Sequence, residues 1–418
     1  MSSEPLKPIR ADAGILSSVL AIALIIATLC ASLISLCYYY RIATLQHTIV
    51  DHLANNAQSG INLLLATSDH SVASGGYWKD LFGQQQDSVW LQQKPWGVYQ
   101  IGIARARTGN KSRQQVALFG RKPDQIGQSA LYLADEQRPL PVAGRTQLIG
   151  RCYLPKAGIK SAYVNRIGYQ GEQLVEGSTR ESQRSLPELS PDVVAHLRGL
   201  LTIKLEDYTR LDQLEDSLSC SFAAAPAYYH NPGPITVSRL LRGNIIIASD
   251  QAVTITSQAN VESIIVVAPQ ITIAPGFKGR LQAVATDTLV VGRGCQLRYP
   301  SALVLLASSG GAVLIDEACQ IAGTVVLTGD ATDYHRRLLS LGKDASVAGM
   351  VYSDGLVELK GSIYGHLSCR KFMLRTPSTL YENHILNGTL DASRRSPHYL
   401  ASSLWATTNQ KGIAQWLY

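Results

Sequence analysis

Between residues 242 and 365 the apolar residues fall into short β-branched runs that come in pairs. They read NIIIAS then AVTI, SIIVVA then ITI, LQAVA then TLVV, ALVLLA then AVLI, TVVLT, and finally MVYS then GLVEL. A small or turn-forming residue divides each pair, and no amphipathic helix intervenes between one pair and the next. Aligned on the corners Ala248, Ala268, Ala285, Ala307, Thr328 and Ser353, the spacings are 20, 17, 22, 21 and 25 residues. The second runs follow at 253–255, 271–273, 289–291, 313–315 and 357–359. An irregular period near 20 residues without an internal helix predicts a parallel β-helix, each repeat forming one turn of a solenoid. Like aliphatic residues then stack turn over turn at about 4.8 Å, and six or so turns make a rod roughly 30 Å long. The competing arrangement, a β-sandwich of short strands, would show cleaner apolar and polar alternation and Asn-Gly hairpin turns, which this stretch lacks.

A second pattern governs the start of the chain. Residues 13–40 carry no charge and are apolar throughout, which is long enough to span a bilayer and longer than the apolar core of a cleaved signal peptide. Lys7 and Arg10 precede the segment and Arg41 follows it, so the N-terminus is expected on the cytoplasmic side, with Tyr38, Tyr39 and Tyr40 at the far interface. Beyond it, Ile42, Leu45, Ile49, Leu53, Ala57, Ile61 and Leu64 recur at steps of three and four, which carries the helix out of the membrane as an amphipathic stalk. From Gly14 to Ala66 such a helix would be roughly 80 Å long.

The stretches between these patterns read more simply. Gly75 and Gly76 mark a break. In PWGVYQIGIARARTGNKSRQQVALFGR the alternation of Tyr99, Ile101 and Ile103, the turn residues Thr108, Gly109 and Asn110, and the return at 116–119 predict a β-hairpin. Trp78, Trp90 and Trp96 nearby are read as apolar fill. Ser190-Pro191-Asp192 is a helix start. The resulting division is a cytoplasmic tail at 1–13, a transmembrane helix at 14–40, an amphipathic stalk at 41–68 and a small β subdomain at 77–143. A first rung at 144–177, a partly helical insertion covering one end of the solenoid at 178–232, the parallel β-helix at 233–392 and a tail at 393–418 complete it. The fold class is mainly β, a parallel β-helix with an N-terminal transmembrane helix and a small β subdomain. The segment ATDYHRRLLSLGKDASV is expected to protrude as a loop or short helix.

Two resemblances follow from these residues. The basic N-terminus, uninterrupted apolar helix, Arg41 and the continuation ANNAQSGINLLLA resemble the N-terminal region of minor pilins and of the larger type II secretion pseudopilins, over about the first 70 residues. A prepilin-peptidase site would place Glu five positions after Gly14, where this chain has Val19. Rungs such as AGMVYSDGLVELKGSIYGHL resemble those of bactofilins, polymer-forming bacterial β-helical proteins. These resemblances imply a bacterial inner-membrane protein with its body outside the cytoplasm, serving in assembly of a pilus or secretion machinery or as a self-associating scaffold.

Charge and chemistry narrow the function further. The net charge is +7 and pI about 9.0, but no dense Lys/Arg run interleaves with aromatics, so nucleic acid is excluded as a partner. The lipid bilayer, envelope proteins and an acidic polysaccharide remain as partners. Corner acids Asp250, Asp287, Asp330 and Asp354, with Asp316 and Glu317 ending a second run, would stack into a row able to bind calcium or cleave a glycosidic bond, though Pro269 and Ser308 interrupt it. Asp at a strand-to-turn junction also serves simply to cap backbone groups. His335, Arg336 and Arg337 read as a solvated loop segment, or, if they bind a ligand, as a grip on a phosphate or uronic acid. No nucleophile elbow, phosphate loop, dinucleotide fingerprint or zinc-protease motif is present, so no catalytic residue, metal site or cofactor is assigned. Cysteines of this kind are read as small core fillers, with Cys295 and Cys319, about one turn apart, as the candidate disulfide among the seven.

Overall fold

The computed structural model describes residues 13–67, 75–81, 83, 88–202, 209–210, 217–330, 334–405 and 408–417. Lys7, Arg10, residues 331–333 of the expected protruding segment, and Tyr418 lie outside the described residues. Ala13–Ala66 is one unbroken helix of 54 residues, long and apolar enough to cross a membrane. No proline interrupts it, and the run of Ala, Leu and Ile has high helix propensity. Residues 14–40 are exposed along their whole length, so nothing else in the described protein covers the apolar half. The second half behaves differently. Leu53, Ala57, Ile61 and Leu64 are at most 2% exposed, whereas Leu45, earlier in the same stripe, remains 54% exposed.

What buries that stripe is an antiparallel sheet in the order Tyr77–Lys79, Ser88–Trp96, Tyr99–Thr108, Lys111–Arg121, Lys411–Leu417. The predicted hairpin is its centre, with Gln100 opposite Phe119 and Thr108 opposite Lys111. Period-two alternation gives the sheet two apolar faces. Val89, Leu91, Ala104, Ala106, Ala117 and Phe119 face the helix, while Trp96, Tyr99, Ile101, Ile103, Val116 and Leu118 face the other way, onto the solenoid. Gly60 on the helix and Ala104, Ala106 and Ala117 on the sheet let the two come close. A Cβ on Gly60 would stand 2.9 Å from Ala104 Cβ, Leu91 Cδ2 and Val89 Cγ1. The sheet subdomain therefore ends at Arg121 and takes its last strand from the C-terminal tail, in place of the expected span 77–143.

Most of the remaining strands form a parallel β-solenoid of about 11 turns, against the six or so read from the repeat. Each full turn has three faces. The second face carries an inward column in which Ile247, Val266, Ala283, Leu303, Val325, Val351, Leu367, Leu131 and Cys152 stand opposite one another in turn. The third face carries Val253, Ile271, Leu289, Val313, Leu339 and Val357 in the same way. The five second runs read from the sequence fall on this face. Arg337–Leu341 on the same face is a strand where a protruding segment was expected, preceded by the short 3-10 helix Tyr334–Arg336. The corner alignment slips by a residue or two at several turns: Ala248 stands opposite Val267, Ala285 opposite Leu305, and Leu327 opposite Ser353. The first turns also carry bulges, as at Ser263, where φ is 57°.

Chain order and stacking order differ. The turn containing Leu131–Leu133 stacks on Leu367–Cys369 and, on its other side, on the strand Cys152–Leu154, which is followed by Thr179–Glu181 at one end. The chain then runs along the rod to the far end, where Ser217–Cys220 pairs with Leu240–Gly243, and winds back turn by turn to Thr389–Asp391, which pairs with Gln147–Ile149. The solenoid thus begins at 131, inside the expected 77–143 and before the expected first rung at 144–177. Likewise 178–232 does not sit over one end: it connects both, and its helix Pro191–Leu201 lies along the flank with Leu197 and Leu200 buried. The start predicted at Ser190-Pro191 is borne out, although the Ser190 side chain makes no cap hydrogen bond.

Candidate functional site

The corner acids project from the rim of the second face, and each is engaged by a neighbour one turn or one element away. Asp250 accepts from His230 Nε2 at 2.9 Å, and Asp287 accepts from Gln270 Nε2 at 3.0 Å. Asp330 is paired with Arg198 of the flanking helix. Asp354 is the most enclosed, with Arg337 Nη2 at 3.2 Å, Arg370 Nε at 2.7 Å, and its own backbone carbonyl accepting from Arg337 Nε at 2.8 Å. Asp316 and Glu317 belong to a different corner, where Asp316 accepts from the Glu317 backbone N–H at 2.7 Å and Glu317 faces Arg293 at 3.7 Å. Because Leu327 is the partner of Ser353, Asp354 lines up with Thr328 and not with Asp330. The acids form no continuous row. Among the described residues no group of three or more His, Cys, Asp or Glu is placed to hold a metal ion.

His335, Arg336 and Arg337 also separate. His335 stacks on Tyr334 at 4.1 Å between ring centres and is exposed, as is Arg336, while Arg337 is 1% exposed and committed to Asp354. The expectation of a three-residue anion grip fails because strand geometry turns Arg337 inward, where a guanidinium is tolerated only with its carboxylate. Asp330 and Asp354 do share a groove of about 380 Å³ with Glu188, Arg198, Tyr352 and Arg370, roofed by the start of the flanking helix. Cys295 and Cys319 are buried free thiols in one inward column, since the following residues Gln296 and Gln320 are partners. Cys295 Sγ donates to the Ala274 carbonyl and Cys319 Sγ to that of Gly292, each at 3.1 Å. The neighbouring Cys319, and burial with it, hold the Cys295 thiol above its ordinary range.

The larger concave surface lies where the two modules meet. A cleft of about 590 Å³ is bounded on the solenoid by Phe222, Arg242, Glu262 and Arg280 and on the sheet by Gln415 and Trp416. Arg242 stands opposite Glu262, and Glu262 opposite Arg280, so they form one outward column of the first face. Arg298 on the next turn reaches back to Glu262, which also faces Arg280 Nη1 at 3.5 Å. Two guanidinium groups thus hold one carboxylate, with Arg242 next in the column. Two polar atoms of the wall have no partner among the described residues: Arg280 Nε, a donor, and Gln415 Oε1, an acceptor. Burial lowers the Arg280 guanidinium from its ordinary value.

Sequence reading missed this cleft, although its signal is visible in LLRG, VES, KGR and QLR, each just ahead of a second-face run. The column became meaningful only once the register was known and once Trp416, from the end of the chain, closed the opposite wall. Comparison of the chain with protein-family models, with curated proteins and with solved structures finds no match.

Proposed function

We propose that this protein is a membrane-anchored structural component of an envelope assembly, pilin-like in its N-terminal helix, that holds a rigid β-solenoid outside the cytoplasm. One observation carries the reading. A single helix passes without a break from an uncovered apolar half into a half clamped by a sheet whose opposite face is packed on the solenoid. Such a path transmits force and orientation from bilayer to rod, and has no hinge where the sheet is gripped. The engaged corner acids fit a structural rod better than a catalytic row. N-terminal sequencing of the membrane-extracted protein, with identification of what co-purifies, tests it. The expected result is a chain that keeps its apolar helix and brings envelope assembly proteins with it. A soluble chain lacking its first forty residues would overturn the reading.

The cleft favours a second reading, a membrane-tethered binder of acidic polysaccharide. Guanidinium groups facing an aromatic wall suit a carboxylate-bearing sugar. An oligomer of uronic acid is then expected to bind the full chain more tightly than a neutral oligosaccharide of equal length, and Arg280→Gln to weaken that binding. Equal affinity for the two sugars would dismiss it.

A further inference from the structure

The hairpin Tyr99–Thr108 and Lys111–Arg121 extends beyond the solenoid it packs on. Its apolar solenoid-side residues are Tyr99, Ile101 and Ile103, after which the same face continues as Arg105 and Arg107, both exposed. On the helix side Arg113 stands opposite Ala106 and Lys111 opposite Thr108, and both are exposed. Cations therefore leave the tip on both faces. From Ser88 to Pro123 the chain has no Asp or Glu. Among the described residues none of these four makes an ion pair. Arg105 Nε donates to Gln114 Oε1 at 2.9 Å, and Arg107 Nε to the Gly109 carbonyl at 3.1 Å, so neutral groups orient both without cancelling their charge.

The direction in which this tip points follows from the packing. At the base of the sheet, Lys411 Nζ donates to the carbonyls of Leu64, at 3.4 Å, and Thr67, at 2.7 Å, so the base lies beside the end of the helix farthest from the apolar half. Gly60 lies against Ala104, and Leu53 with Ile49 packs in the same cluster as Ala106. The strand therefore runs back toward the apolar half as it approaches its turn. From Ala104 to Asn110 it covers roughly 20 Å at about 3.4 Å per residue. At about 1.5 Å per helical residue that brings the turn beside His47, roughly 10 Å from Tyr40. This is about one screening length in physiological salt.

We infer that the hairpin tip, through Arg105, Arg107, Lys111 and Arg113, docks on the anionic lipid headgroups of the leaflet from which the helix emerges, giving the body a second point of attachment. The inference rests on reading the apolar helix as a membrane span. A single helix leaves the body free to tilt and swivel over the bilayer. A basic tip on a stiff sheet, which the helix itself grips, removes that freedom wherever the lipid is acidic.

The test uses the full chain in lipid nanodiscs, made either of phosphatidylcholine alone or of equal phosphatidylcholine and phosphatidylglycerol, with a photo-crosslinking benzoylphenylalanine at Asn110. Covalent lipid adducts at that position are read by mass spectrometry, and insertion is read separately by co-elution with the disc. The expected outcome is insertion into both discs, with several-fold more adduct in the acidic one. That excess should vanish in strong salt or in the variant R105Q/R107Q/K111Q/R113Q. Equal adduct yields in both discs, with insertion intact, would overturn the docking and leave the anchor standing. Failure to insert into either disc would overturn the anchor itself.

Discussion

Gln282 joins the two modules of this protein with one side chain. It sits in the outward column of the second face, between Ile265 and Ala302, where its neighbours are apolar. Its Oε1 accepts from the Val98 backbone N–H at 2.8 Å and its Nε2 donates to the Trp96 carbonyl at 3.2 Å. The turn between those residues needs Gly97 at φ 57°, since a Cβ there would run into the Gln282 amide. Replacing Gln282 by Leu strands a donor and an acceptor in a buried interface, and a loss of about 2–4 kcal/mol is expected in urea unfolding. His366 is the titratable counterpart. Fully buried, it shares protons with Ser129, whose Oγ is at 3.1 Å, and with Ser368 Oγ at 2.7 Å; burial drives its pKa from the ordinary 6.5 down to about 4. The neutral ring is the one that folds, so above pH 6.5 the group costs nothing. As pH falls from there toward 4 the unfolded chain takes up a proton that the folded chain refuses. About 3 kcal/mol should be lost over that window, and His366→Gln should flatten the slope in thermal unfolding at graded pH.

At the scale of elements, the chief lesson is why the second face reads as continuous apolar runs and the third does not. Residues Ile264–Ala268 are buried without alternation because the inward side chains fill the rod and the outward ones meet the sheet. On the third face the outward residues Thr254, Thr272 and Leu314 reach solvent, and the runs are shorter and mixed. The helix meets the sheet by a similar economy of side chains, with Gly60 and the alanines 104, 106 and 117 allowing close approach. Gly60→Leu is expected to push helix and sheet apart, at about 1–3 kcal/mol. Hydrogen exchange in Tyr99–Thr108 should accelerate while the solenoid strands keep their protection; equal acceleration everywhere would contradict a separable joint. The corner glycines show the same constraint by turns. Gly323, Gly349 and Gly365 are stacked partners at φ between 145° and 151°, and a Cβ on Gly349 would collide with the Gly323 carbonyl. Gly349→Ala therefore combines strain with a backbone clash and should lower the unfolding midpoint more than alanine at an exposed corner such as Gly276.

For the whole molecule, the feature with most consequence is the seam between the turn at Leu131 and the turn at Leu367. Residues far apart in sequence become neighbours in the inward column, so the rod closes only when both stretches are in place. Loop closure over such a distance makes this seam a late and slow contact. Leu133 stands opposite Cys369, and both are buried in the inward column. Leu133→Ala should therefore open this seam and cost about 2–5 kcal/mol in urea unfolding. A variant as stable as the parent would refute the stacking order.

Local pattern alone determined the apolar helix, its amphipathic continuation, the central hairpin and the aliphatic repeat, because each depends on a periodicity that is complete within a few dozen residues. On the third face it determined which residues stack inside the rod, since Val253, Ile271 and Leu289 recur at nearly fixed intervals whatever else the chain does. Where the turns begin, which flank the helix Pro191–Leu201 lies on, and the fifth strand taken from Lys411–Leu417 were decided only by tertiary structure. The physical reason is common to all three. Backbone pairing in a parallel solenoid is nearly identical from turn to turn, so register and order are selected by side chains meeting across long separations: Gln282 with Gly97, His366 with Ser129, and Trp416 with the arginine column. Such pairs leave no periodic trace along the chain, and the cleft and the basic tip came into view only when the fold brought their residues together.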